Sequence, residues 1–357
     1  MKTKLLLNEM ALCLMFFFSA CGGDKVDTEI TDGEQAQVET PVEVAEPTYA
    51  EMLGWEKGTR ALILHVDDAG MSHDSNVGTW RALDDGAANS VSIMMPCPWV
   101  PEFAKYVREN PEADAGLHLT LTSEWDYLRW PPLAGKPVVP GLTDEQGCLW
   151  GNVELVVQNA SPDEVEIEIR AQIERARNIG FEPTHMDSHM GTLFATPAFL
   201  ERYIKVGIEE QIPVMFPGGH NTYISKESPD ANSAEYKALG KKIWDGGLPV
   251  LDDLYADTYA FKELNKVDKF VEIIRGTKPG VTMIILHCTQ PFENFKHISP
   301  TSETLRHGDL LAMLDPRIKE VIKEEGIVMT TFREMKKRRD ALKPVMPEVT
   351  ETVDAQD

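Results

Sequence analysis

Short apolar runs alternate with amphipathic stretches along most of this chain. The runs lie at 61–66, 90–95, 115–121, 183–187, 212–216, 248–251, 281–286 and 327–331. Between them, apolar positions three and four apart predict helices over 101–109, 162–179, 197–210, 260–275 and 311–325. The clearest helix start is Ser161-Pro162-Asp163-Glu164. There Ser161 caps, Pro162 fits the first helical position, Glu164 closes a capping box, and Gly180 ends the helix. Strands alternating with helices predict a mostly parallel sheet covered by helices. Seven or eight such units predict an α/β fold, a distorted TIM-like (β/α) barrel over residues 57–340. A doubly wound open sheet is the alternative, but no Gly-rich phosphate-binding turn follows the first run. The stretch 123–160, rich in Trp, Pro and Gly, has no periodicity; in a barrel it is an excursion at the end of the third strand, where substrate loops belong.

The flanks read differently. Lys2 and Lys4 precede an apolar stretch at 11–18, followed by Ser19-Ala20-Cys21. That order describes a secretory signal over 1–20, too short to span a bilayer as a mature helix. Cys21 directly after Ser-Ala resembles the bacterial lipobox, where the thiol is acylated. The expectation is a lipid-anchored protein of the cell envelope, with an acidic flexible tether over 21–56 and an acidic disordered tail over 341–357. The chain carries 35 Lys and Arg against 58 Asp and Glu, a formal charge of −23. About half of it lies in 24–51 and 346–357, so it describes solvated flanks, and it argues against nucleic-acid binding. Cys13 leaves with the signal and Cys21 takes the lipid. Cys97, Cys148 and Cys288 are scattered and odd in number, so no disulfide framework is implied.

Polar landmarks stand at the ends of the apolar runs. They are Asp67-Asp68, His118, His185-Met186-Asp187-Ser188-His189 and His287. In a barrel these are C-terminal strand ends, the face on which active sites are assembled. Apolar strands have no structural need for such groups, and burying them unpaired costs several kcal/mol. One carboxylate with two imidazoles makes an open site for one divalent cation, zinc or magnesium first, cobalt or manganese as further candidates. His185 and Asp187 read as supports for His189, because a ligating imidazole needs a partner for its other nitrogen. Trp125, Tyr127, Arg129 and Trp130 follow His118 closely and suit a sugar ring as well as they suit packing within their own loop. His220, after Pro217-Gly218-Gly219, is a candidate for the pocket wall. The role of His65 is open.

Residues 64–70, 116–122 and 184–189 resemble the three motifs of the YdjC-like carbohydrate deacetylases, relatives of the polysaccharide deacetylases. Pro140-Gly141-Leu142-Thr143 also matches that family's pattern, and the resemblance runs from about Arg60 to Lys336. It implies a distorted barrel that removes acetyl groups from acetylated amino sugars. By the same resemblance Asp68, His118 and His189 would hold the metal, Asp67 would be the general base on water there, and His287 could protonate the leaving amine. Two departures stand out: Met190 and Gly191 follow His189 in place of a His-rich run, and His287 is followed by Cys-Thr-Gln-Pro rather than directly by Pro.

The expected partner is therefore an acetylated oligosaccharide, with membrane contact through the lipid anchor alone and no reading of oligomeric state. A metal-dependent phosphoesterase would want a carboxylate-rich or two-metal site with a basic clamp. A non-catalytic glycan-binding lipoprotein is the remaining alternative.

Overall fold

The apolar run at 61–66 grows into β1 (Arg60–Ala69), the centre of a parallel sheet. The computed structural model describes residues 46–342. The other strands are β2 (Ser90–Ile93), β3 (Ala115–Leu119), β4 (Met186–Ser188), β5 (Asp253–Tyr255), β6 (Gly280–Leu286) and β7 (Val328–Met329). Their order is β4-β3-β2-β1-β6-β5, and the two-residue β7 pairs with the start of β1. The runs at 212–216 and 248–251 form no strand; they contribute only the isolated parallel bridges Met186↔Val214 and Pro217↔Leu251. Pro213 and Pro249 interrupt the two runs and Pro217 closes the first, and proline has no N–H with which to extend a ladder. The expected seven- or eight-strand barrel is thus a curled sheet of six to seven strands, a half-barrel.

Helices lie close to their predicted places at Val100–Glu109, Pro162–Asn178 and Pro197–Glu210. The Ser161 capping box forms as its spacing predicts. Two expectations shift. The helix over 260–275 starts only at Val267, after a short 3-10 turn at Asp257–Ala260. The helix over 311–325 is two helices, Glu303–Leu314 and Pro316–Glu324, because Asp315 caps the second at Pro316.

Strand side chains alternate between faces, and the alternation sorts core from site. Leu62, Leu64 and Val66 of β1 pack outward with Ile284 and Leu286 of β6 under Phe270, Ile274 and Leu310. Ala61 and Ile63 face the concave side, with Val281, Met283, Leu251, Phe332 and Met335. Continuing that inward row brings His65 and Asp67 on β1 and His287 just past β6. The concave side is apolar at its base and polar where the strands end. Pro229, Ala231 and the helix Ala234–Asp245 lie in the connection before β5.

The folded part starts earlier than residue 57. Thr48 caps a short helix, Tyr49–Met52, whose Tyr49 and Ala50 amides donate to the buried Asp252 carboxylate. Ala50 and Leu53 are buried, so the stretch read as tether is part of the domain from Thr48 onward. The signal segment, Cys21, most of the tether and nearly all of the acidic tail lie outside the described residues. Among the described residues no helix is long and apolar enough to cross a membrane. Cys97, Cys148 and Cys288 are free thiols.

Candidate metal centre

Two adjacent strand residues normally point to opposite faces, yet Asp67 and Asp68 both face His118. A bulge explains it. Val66 pairs with Val91 but Ala69 pairs with Ile93, so β1 carries one residue more than β2 between these points. Asp68 takes φ of 67°, a left-handed conformation uncommon outside glycine, though more accessible to Asp and Asn than to other residues. Such local strain tends to persist where the surrounding structure holds a functional group in place. The outcome is that Asp68 Oδ1 lies 3.3 Å from His118 Nε2 and 3.3 Å from His189 Nδ1. Asp67 Oδ2 lies 3.7 Å from His118 Nε2 and 3.8 Å from His287 Nε2.

All of these groups are buried. His189 opens a 3-10 turn at the end of β4, and Met190 and Gly191 follow it in left-handed conformations. That reversal occupies the place where the sequence departs from a His-rich run. Gly116, two residues before His118, has no room for a side chain: a Cβ there would stand 2.6 Å from the His185 ring.

Each imidazole has a carboxylate behind it, and the pairing differs from the sequence expectation. Asp187 Oδ1 accepts from His118 Nδ1 at 2.6 Å, whereas Glu124 Oε1 accepts from His189 Nε2 at 2.9 Å. Asp187 therefore supports His118 rather than His189, because β3 and β4 place His118 and Asp187 directly opposite one another. With their outer nitrogens held by these carboxylates, His118 Nε2 and His189 Nδ1 both face Asp68 Oδ1 and would become ligand lone pairs on giving up their protons to a bound cation. His185 supports neither. It is a buried ring stacked on Phe332, bonded to Thr184, with its basicity pushed down to about 4 by burial.

Asp68 Oδ2 accepts from Arg306 Nη1 at 2.6 Å, while Asp68 Oδ1 is buried without a hydrogen-bond partner. A carboxylate oxygen left without a hydrogen bond between two imidazole nitrogens is a donor set suited to a divalent cation. Asp68, His118 and His189 form one of three groupings among the described residues whose ligand atoms converge; the others share Asp187. Burial alone would raise the Asp68 carboxyl, but Arg306 and the two imidazoles outweigh it and hold it well below the usual range. Burial opposes charge on His118 and His189 too, yet Asp67 and Asp187 push the first well above its ordinary value, and Glu124 and Asp68 push the second up to about 9. The negative field that raises them is the field a divalent cation would balance. His287 is held well below its ordinary value, by burial first and then by Arg306, His118 and Lys266 against Asp68.

The long loop delivers only part of what its residue types suggested. Trp125 sits near the site, its ring 5.9 Å from the Arg306 guanidinium. Tyr127 is 86% exposed. Arg129 is tied to Ser123, Asp144 and the Leu149 carbonyl, and Trp130 is buried with its indole N–H on the Thr122 carbonyl. Both hold the loop together. His220 contacts Thr222 and lies 3.7 Å from Asp253, neither of which belongs to the Asp68 cluster. Sequence reasoning missed Arg306, Glu124 and Tyr259, whose ring lies 5.5 Å from the Arg306 guanidinium and 4.5 Å from the His287 ring.

The profile of the YdjC-like proteins matches residues 61–324, spanning every strand from β1 to β6 and all of the site above. The chain belongs to the YdjC-like family. A carbohydrate deacetylase of Thermus thermophilus is 28% identical over 267 residues, covering 75% of this chain and 91% of that protein. A second, from Thermoanaerobacter pseudethanolicus, is 25% identical over 276 residues and covers 77% and 99%. Relatives of this name are hydrolases that act on amide bonds, and the family is enzymatic. Among solved structures, a protein of Enterococcus faecalis described as a cellobiose-phosphate cleavage protein superposes with a TM-score of 0.65 at 22% identity. It covers 78% of this chain and 99% of that one, a likeness of fold.

Proposed function

We propose that this protein is a metal-dependent carbohydrate deacetylase that hydrolyses N-acetyl groups on amino-sugar oligosaccharides. The observation that carries the reading is the convergence of Asp68 Oδ1, His118 Nε2 and His189 Nδ1, with Asp67 Oδ2 and His287 Nε2 on one side of it. The curled sheet, continued by the bridges at Val214 and Leu251, serves as a distorted barrel whose strand ends carry these groups. Asp68, His118 and His189 would hold one divalent cation, zinc or magnesium first, which when bound polarises the acetyl carbonyl and lowers the pKa of water.

Asp67 then acts as the general base. Its Oδ1 is anchored by His65 and Ser92, and its Oδ2 faces the space in front of His118, where the attacking water must lie. His287, neutral in the resting site, is placed to receive that proton and deliver it to the leaving nitrogen. The Asp309 carboxylate accepts from the His287 backbone N–H at 2.9 Å and so fixes where this ring begins. Arg306 holds Asp68 by one oxygen and leaves the other for the cation. The Arg306 guanidinium, which a phosphoesterase would need free for a basic clamp, is here paired with Asp68. Acylation at Cys21 would put the reaction at the cell envelope.

Acetate release from acetylated chitooligosaccharides tests the reading. Activity should disappear with a chelator, return with added zinc or another first-row metal, and be lost in Asp67→Asn. Absence of acetate release across a broad acetylated panel by the metal-loaded protein would overturn it.

A further inference from the structure

The reading above leaves His65 without a role, although it lies at the floor of the site. Its ring is wholly buried and both nitrogens are engaged. Nδ1 stands 2.9 Å from Ser90 Oγ. Nε2 stands 2.8 Å from Asp187 Oδ2, 3.2 Å from Asp67 Oδ1 and 3.1 Å from Ser92 Oγ.

Counting hydrogens decides the protonation of this ring. The Ser90 hydroxyl has one hydrogen and gives it to Asp114 Oδ2 at 2.7 Å. Asp114 is an acceptor throughout, since it also takes the Phe332 and Arg333 backbone N–H groups. Ser90 Oγ can then only accept from His65, so Nδ1 carries a hydrogen. On the other side Nε2 faces two carboxylates, and the Ser92 hydroxyl is spent on Asp67 Oδ1 at 3.3 Å. Nε2 must carry a hydrogen as well, or two buried carboxylate oxygens would meet a lone pair.

We propose that His65 is an imidazolium in the resting site that positions Asp67, sharing its Nε2–H between that carboxylate and Asp187. This rests on the deacetylase reading, in which Asp67 is the base. One ring thereby links the base to the carboxylate that orients His118. Asp67 is held by Oδ1 and presents Oδ2 to the water; Asp187 is held by Oδ2 and presents Oδ1 to His118. The imidazolium also offsets, together with Arg306, part of the charge of Asp67, Asp68, Asp187 and Glu124. Burial works against the charge, yet the bonds to Asp187 and Asp67 carry the ring up to about 9. The other ionisable neighbour, His185, packs edge-on at 5.0 Å between ring centroids, and burial keeps it neutral. With both nitrogens protonated, His65 cannot be a metal ligand, although His65, His185 and Asp187 lie close enough to form a ligand grouping.

Nitrogen NMR of protein labelled at histidine tests the protonation directly, the His65 signals being those that vanish in His65→Gln or, if that variant fails to fold, in His65→Asn. Both His65 nitrogens should show the imidazolium signature at pH 8, with and without bound zinc. A neutral-tautomer signature overturns the proposal whatever the activity does. His65→Gln keeps a donor near Nε2 but no charge and no fixed ring. It should retain zinc and lose about tenfold or more in kcat, with KM within about twofold. A folded, zinc-loaded His65→Gln with wild-type kcat also overturns it. Failure of the wild type to release acetate from any substrate would sink the deacetylase reading, while the NMR result would still decide the charge on His65.

Discussion

Asp187→Asn exchanges one oxygen for an NH2 group inside a buried scheme that has no slack. The wild-type carboxylate serves two imidazoles, Oδ1 taking the His118 Nδ1–H at 2.6 Å and Oδ2 taking the His65 Nε2–H at 2.8 Å. Asparagine has one acceptor oxygen, so only one ring keeps its partner. If the oxygen stays with His65, the amide NH2 faces His118 Nδ1, which must accept. The His118 proton then moves to Nε2, the atom 3.3 Å from Asp68 Oδ1 and needed as a ligand lone pair. If the oxygen turns to His118 instead, the NH2 points at the His65 N–H and Asp67 loses its anchor. Losing the partner of a ligating histidine typically weakens metal affinity about 10- to 100-fold, or about 1.4–2.7 kcal/mol. Zinc competition against a chromophoric chelator, run on metal-stripped protein with its fold checked by circular dichroism, measures the change. The pairing of Asp187 with His118 would be refuted by a folded Asp187→Asn that binds zinc within twofold of wild type and hydrolyses substrate at the wild-type rate.

Two stability predictions follow from buried charge elsewhere. Lys266 and Asp309 form a fully buried pair at 2.7 Å, with the ammonium also donating to the Leu305 carbonyl at 2.8 Å. Lys266→Met should cost about 3–5 kcal/mol in denaturant unfolding, and adding Asp309→Asn should restore part of it; equal stabilities for wild type and the single variant would contradict the pairing. Glu168 is buried behind the long loop, accepting the Leu133 and Ala134 amides and the Gln172 side chain. Burial raises its carboxyl to about 7 in spite of these donors. A raised folded-state value contributes stability below the unfolded value near 4.5 that is lost as pH climbs through 7. Wild type should therefore lose about 3 kcal/mol relative to Glu168→Gln between pH 4.5 and 8, and a pH-independent difference in unfolding free energy would rule this out.

The amphipathic helices and the positions of β1, β3 and β6 were legible in the chain because local periodicity and capping dictate them. So were Asp67, Asp68, His118, His189 and His287, since charged or basic residues closing apolar runs have no structural reason to be there. The failures share a cause. The strands expected at 212–216 and 248–251 carry prolines whose effect depends on which neighbour needs an N–H, and that is decided by the sheet. Arg306 escaped notice because its helix starts at Glu303, whereas the periodicity places a helix only over 311–325, running across the break at Asp315-Pro316. Glu124 lay in a loop without periodicity, and Arg129 and Trp130 look the same in sequence whether they bind sugar or their own loop. By itself the sequence determined which chemistry-bearing groups reach the strand ends. Only the tertiary structure decided which carboxylate serves which imidazole, because that depends on parallel register, on a one-residue bulge at Asp68, and on contacts between residues far apart along the chain.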